Sequence, residues 1–242
     1  MIIQHNISAI NSYRNLGINQ SALSKNLEKL SSGYKINRAG DNAAGLAISE
    51  SMRSQINGLN QASANAKDAI GLIKTAEGAL SEVHSMLQRM TTLAEQAANG
   101  TYNTVARGNI QEEYKALTKE IKRISENADF NGIKPLTTGK EMTMTFQIGP
   151  TSGETITVDK EDIYGKTVTA AMSLKLSVQN DAKNALKTIK TAIDDVSTYR
   201  AKLGAAQNRL EHTVKSLDIM SENITEAESR IRDTDMADEI TA

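Results

Sequence analysis

Between Ala62 and Asn99, small or apolar side chains recur at Ala66, Ala69, Ile73, Ala76, Leu80, Val83, Leu87, Met90, Ala94 and Ala97, in steps alternating between three and four. An ideal helix drifts by about 20° per heptad against such a repeat, so holding the stripe on one face requires a helix that wraps around partners. No proline interrupts the stretch, and Lys67, Asp68, Lys74, Glu77, Glu82 and Arg89 fall on outward positions. The seam therefore needs other helices to cover it. The same alternation runs through Ala182, Ala185, Ile189, Ala192, Val196, Tyr199, Leu203, Ala206, Leu210, Thr213, Leu217, Met220, Ile224, Ala227 and Ile231. A helix of about 50 residues is about 75 Å long. A third, shorter segment, Ile110, Tyr114, Leu117, Ile121 and Ile124, repeats the rule. The predicted fold is mainly α, an elongated rod of long antiparallel coiled-coil-like helices that bury one another's seams. Each large side chain so covered contributes about 1.5 to 3 kcal/mol.

Charge and composition narrow the function classes. The 28 basic and 29 acidic side chains are interspersed and give a formal net charge of −1, so no basic field gathers nucleic acid and no cationic amphipathic segment points to a membrane. Cysteine is absent, which removes disulfide and thiolate chemistry. There is no run of about 18 apolar residues for a membrane span. The start, MIIQHNISAINSYRN, lacks the layout of a cleaved signal peptide. By composition alone the chain reads as intracellular.

Taken in order, residues 1 to 31 carry Ile3, Ile7, Ile10, Leu16, Leu23, Leu27 and Leu30 on a background rich in Asn and Ser, a helix whose surface suits contact with other chains. Ser32 to Gly45, with Gly33, Gly40, Asp41 and Asn42, reads as an extended linker. Helical pattern resumes at Leu46, Ile48, Met52 and Ile56. Gly58, Gly71 and Gly78 sit in helical pattern at roughly 1 kcal/mol each against alanine, and close approach of a neighbouring backbone would account for them. Asn99 and Gly100 suit a left-handed helix terminator. Then the period changes to two: Met142, Met144, Phe146 and Ile148, a turn at Gly149–Gly153, and Ile156 and Val158 on the return predict a small β-hairpin with a five-residue loop. Residues 159–177 read as irregular.

No constellation for chemistry emerges. The histidines, His5, His84 and His212, lie on three different predicted helices, without a second histidine or a carboxylate cluster at ligand spacing. No nucleophile elbow frames a serine, and the glycines form neither a Walker loop nor a dinucleotide fingerprint. The expectation is no enzyme, no cofactor and no metal.

Several stretches resemble bacterial flagellin: IIQHNISAINSYRN, LEKLSSGYKINRAGDNAAGLAISESMRSQINGLNQ running on into the seam, IQEEYKALTKEIKRISENADFNGIKPL, FQIGPTSGETITV, LGAAQNRLEHTVKSL and ITEAESRIRDTDMADEI. The match covers nearly the whole chain in the family's order. The resemblance implies an inner-core helix and linker over 1–41. It implies an outer-core rod over 42–176, with the hairpin at about 142–158, and 177–231, followed by the start of a C-terminal linker over 232–242. The middle is short, as in flagellins without large variable outer domains. The family pattern continues past Ala242 with a helix that pairs with the N-terminal one, so the resemblance also implies an incomplete inner core and poor polymerisation of this chain alone.

The function so implied is structural: subunits pass through the flagellar export apparatus, are seated under a cap, and assemble with copies of themselves into an extracellular propeller filament. The family is also a ligand of a host Toll-type receptor. The matching positions are Gln88, Arg89, Leu93, Gln96 and Glu113, with Arg89 a planar fork of donors, Leu93 an outward apolar knob and Glu113 a carboxylate partner. Thr91 and Thr92 stand where charged residues are common in the family. The alternative within structural proteins is a hook-filament junction protein.

Overall fold

The computed structural model describes residues 6–137, 143–160 and 174–241. In order these form α1 (Ile7–Ser32), α2 (Ala43–Ala98), α3 (Thr104–Asn127), β1 (Thr143–Gln147), β2 (Thr155–Asp159), α4 (Gln179–Arg232) and a short α5 (Met236–Thr241). They divide into two compact units, one of Met1–Asn60 with Asp218–Ala242 and one of Gln61–Leu217. Gly58 lies inside α2, as its helical pattern implies.

In the unit Gln61–Leu217 every seam position named above for α2 is buried, and so are the α4 seam positions from Ala182 to Leu210. The helices run antiparallel. Gln179 Nε2 donates to the Ala98 carbonyl at 2.9 Å, and Arg200 pairs with Glu77 at 3.5 Å, so moving from 98 back to 77 along α2 matches moving from 179 forward to 200 along α4. Alanine at so many seam positions lets the backbones approach closely, while Ile73, Leu80, Leu87, Met90, Ile189 and Leu203 fill the space between.

The third helix packs on a stripe rotated from the expected one. Ile110, Tyr114 and Ile121 are buried as expected, but Thr118 and Ser125 are buried in place of Leu117 and Ile124, which pack partly buried at its edge. Each hydroxyl satisfies itself locally: Thr118 Oγ1 donates to the Tyr114 carbonyl (2.8 Å) and Ser125 Oγ to that of Lys122 (2.9 Å). A hydroxyl bonded back to its own helix is buried at little cost. Burial pushes the Tyr114 phenol up to about 12, which keeps it neutral.

The hairpin pairs Met144 with Val158 and Phe146 with Ile156, and turns these side chains to the core. Ile148 N–H donates to the Glu154 carbonyl at 3.0 Å, closing the five-residue loop at Gly149–Gly153. Asn65 Nδ2 ties α2 to the Gln147 carbonyl at 3.2 Å. Met142 and residues 161–173 lie outside the described residues.

Two expectations about glycine need correction. Gly71 faces the Phe130 ring at ordinary contact distance and Gly78 faces open space, so neither marks a close backbone approach. Gly100 has no positive φ, so α2 does not end on a left-handed glycine. Its last carbonyls are instead taken by side chains. Arg107 donates to the carbonyls of Ala97 (3.0 Å) and Asn99 (3.1 Å), and Gln179 to that of Ala98.

In the unit Met1–Asn60 with Asp218–Ala242, the linker is shorter than expected, because Asn42 Oδ1 accepts from Gly45 N–H (2.9 Å) and starts α2 at Ala43. Gly45 is buried where a Cβ would fall 2.8 Å from Ile36 Cδ1. The α4 stripe weakens here. Met220 is 42% exposed and Ile224, Ala227 and Ile231 are only partly covered. Ser49, Glu50 and Asn60 of α2 hydrogen-bond to Glu228, Arg232 and Ser221 of this part of α4, beside the buried Leu59 and the partly buried Met52 and Ile56.

Candidate interaction surfaces

Helix α1 begins on Asn6, whose side chain accepts from Ala9 N–H at 3.1 Å, and ends on Gly33 at φ 75°, a left-handed cap that only glycine adopts without strain. No residue of α1 is buried. Ile7, Ile10, Tyr13, Leu16, Ile18, Leu23 and Leu27 all stand exposed, Tyr13 at 80%. Leu16, Leu23 and Leu27, seven and four apart, share one face. So dense a set of exposed apolar side chains marks an interaction surface.

The linker after α1 is clasped onto α4. Lys35 N–H donates to the Arg232 carbonyl (2.8 Å), Thr234 N–H to that of Gly33 (3.0 Å), and the Arg232 guanidinium lies 4.7 Å from the Tyr34 ring centroid. Arg232 also reaches Glu50 at 2.7 Å. Lys29 pairs with Glu239 of α5 at 3.0 Å, a short helix in the stretch expected to be linker. The Asp41 carboxylate accepts from the N–H groups of Arg38 and Asn37, which holds its pKa below the usual value.

The Glu50 carboxyl is also held below its usual value, chiefly by the hydrogen bond from Arg232 and against the cost of desolvation, with the charge of Arg53 adding to the lowering. A carboxyl whose folded pKa is depressed contributes stability above its unfolded value of 4.5 and loses it as pH falls from there through the folded value. The Tyr34 ring resonances are therefore expected to shift on acidification over that range as the clasp releases. Glu50→Gln should flatten the titration, and an unchanged titration in the variant would remove the clasp as its cause.

The outward face of α2 carries the other expected surface. Arg89 and Glu113 are brought together across α2 and α3, with Nη2 at 2.7 Å and Nε at 2.8 Å from the same Glu113 oxygen, both side chains about half exposed. Gln88 is exposed, with Nε2 3.0 Å from His84 Nε2, and Gln96 is partly buried. Leu93 is not an outward knob. It is 1% exposed and belongs to the core, because α2 is covered on more than one side and its buried face is wider than the two-position seam. Thr91 and Thr92 turn their hydroxyls back to the carbonyls of Leu87 and Gln88.

Among the described residues no group of three or more His, Asp or Glu is placed to hold a metal ion, and no helix is long and apolar enough to cross a membrane. His5 lies outside the described residues. Long helices around an alanine-rich core, an uncovered apolar helix and surface ion pairs define a helical structural subunit made for contact between chains.

Comparison with known proteins narrows the class to a family. The family model of the bacterial flagellin N-terminal helical region matches residues 3–141, and that of the C-terminal helical region matches residues 186–242. The flagellin of Halalkalibacterium halodurans is 49% identical over 241 residues, covering 99% of this chain and 88% of that protein. The flagellin of Bacillus subtilis is 47% identical over 272 residues, covering 99% and 90%. The crystal structure of Bacillus cereus flagellin aligns with TM-score 0.58 at 32% identity, over 64% of this chain and 88% of that one. A flagellar hook-associated protein of Vibrio parahaemolyticus aligns with TM-score 0.66 at 12% identity, over 80% and 100%, and at that identity shares the fold alone. The chain belongs to the bacterial flagellin family. It is a structural subunit, not an enzyme, and polymerises with copies of itself into the extracellular flagellar filament that drives motility.

Proposed function

We propose that α1 is the segment by which each subunit packs against other copies in the inner core of the filament. In this reading residues 1–41 belong to the inner core, 42–176 and 177–231 to the outer core, and 232–242 to a connecting segment. The observation that carries it is the absence of any buried residue in α1 beside its run of exposed Ile, Leu and Tyr. Apolar surface of this extent is stabilised only when another surface covers it. Subunits reach the growing end through the export apparatus and are seated under the cap, a route that suits a chain without cysteine. Replacing Leu16 and Leu23 by lysine and scoring filaments by electron microscopy tests the assignment.

A second role rests on the α2–α3 surface. We propose that a host Toll-type receptor reads Gln88, Arg89, Gln96 and Glu113, with Leu93 acting from the core by fixing the helix that presents them. What supports this is the half-exposed Arg89–Glu113 pair. It holds the guanidinium in place yet contributes at most about 1 kcal/mol to the fold, so both groups are available to a partner. Arg89→Ala is expected to weaken binding to the soluble receptor ectodomain by about thirtyfold, as an interface arginine anchor does, with helicity unchanged. Equal affinity in a binding titration would dismiss the role.

A further inference from the structure

The chain holds three Asn–Gly steps, Asn57–Gly58, Asn99–Gly100 and Asn131–Gly132. In such a step no Cβ hinders the glycine nitrogen from closing on the asparagine side-chain carbon. Whether it closes depends on what holds that nitrogen. Asn57–Gly58 lies inside α2, where each N–H is tied to the carbonyl four residues back and ring closure needs local unfolding. At Asn131–Gly132 the Gly132 N–H donates to Asp129 Oδ1 at 3.0 Å.

Asn99–Gly100 differs on each count. Both residues are exposed beyond the end of α2, and the Gly100 N–H finds no acceptor among the described residues. Thr101 N–H donates to Asn99 Oδ1 at 3.2 Å, which polarises the side-chain carbonyl and stabilises the oxygen charge that develops on attack. We infer that Asn99 is a site of spontaneous deamidation, converting ahead of the other two asparagines.

The step balances without any further reagent than water. The Gly100 nitrogen gives up its proton and bonds to Asn99 Cγ, the Cγ–Nδ2 bond breaks, and ammonia leaves, giving a five-membered imide. Water then adds to either imide carbonyl and opens the ring to aspartate or isoaspartate. In the isoaspartyl product the former main-chain carbonyl of Asn99 becomes part of a free carboxylate. That oxygen is the one Arg107 Nη2 already meets at 3.1 Å, so the product retains a charge-assisted bond. The backbone leaving α2 is rerouted, and subunits long resident in a filament accumulate the change at the turn into α3.

The test is to age the purified full chain at mildly alkaline pH and map its peptides by mass spectrometry, with enzymatic detection of isoaspartate. Asn99 is expected to convert faster than Asn131 by on the order of tenfold or more, the factor a hydrogen bond to a carboxylate supplies. Gly100→Ala keeps the fold available, since Gly100 has no positive φ and an added Cβ would meet only Gln179 Nε2 at 3.9 Å. It should slow Asn99 with helicity unchanged. Asp129→Ala should accelerate Asn131. Conversion of Asn131 or Asn57 first, or an Asn99 rate indifferent to Gly100→Ala, would overturn the inference.

Discussion

Leu203→Ala is expected to destabilise the unit Gln61–Leu217 by about 2 to 5 kcal/mol, read as a lower denaturation midpoint by circular dichroism. Leu203 is fully buried in the core shared by α2, α3, the hairpin and α4, so truncation removes both transfer free energy and the contacts of its neighbours. The rigid helices around it have little freedom to collapse into the cavity. Met220→Ala serves as the internal comparison. It continues the same heptad stripe on the same helix, yet Met220 is 42% exposed, and its truncation is expected to cost no more than about 1 kcal/mol. Equal losses at the two positions would mean that the heptad phase, and not local coverage, sets the energetics of α4.

That contrast marks where the sequence was legible. A strict three-four alternation specifies which side of a helix faces a partner, and all ten seam residues of α2 are buried because the partner stripe on α4 is equally long and apolar. The pattern is blind to what the partner offers. Beyond Leu217 the α4 stripe is only partly covered, and hydrogen bonds from Ser49, Glu50 and Asn60 of α2 to Glu228, Arg232 and Ser221 join the two helices there. It is equally blind to the width of the covered face. Leu93 falls outside the two-position seam but is buried because α2 is covered on more than one side. The hairpin was readable because period two is unambiguous over Met144, Phe146, Ile156 and Val158. The buried hydroxyls of Thr118 and Ser125 were not, since hydropathy carries no record of a side chain that bonds to its own helix. At the α2–α3 surface the pairing of Arg89 with Glu113 was not legible in the sequence. Arg89 and Glu113 lie 24 positions apart, and only the packing of α3 through Ile110 and Tyr114 brings the carboxylate to the guanidinium.

Changing Leu16 and Leu23 together to lysine is expected to abolish filaments and swimming in cells whose gene carries both substitutions, with the fold of the unit Gln61–Leu217 unaffected. Neither leucine packs in the subunit's own core: they are 64% and 54% exposed, so the isolated chain loses little. In the inner core proposed above the same side chains are covered, and two leucines together then contribute at least about 3 kcal/mol, or more than about a hundredfold in the association constant of each added subunit. Lysine at those positions adds the cost of desolvating two unpaired ammonium groups, several kcal/mol each. Growth that depends on every subunit docking in turn multiplies the deficit along the fibre. The pair Leu16→Met and Leu23→Met preserves apolar volume and should retain filaments, which separates coverage of this face from any general intolerance of change in α1. Filaments of normal length from the lysine variant, seen by electron microscopy, would place the assembly contacts elsewhere and leave the exposed face of α1 without a part in building the filament.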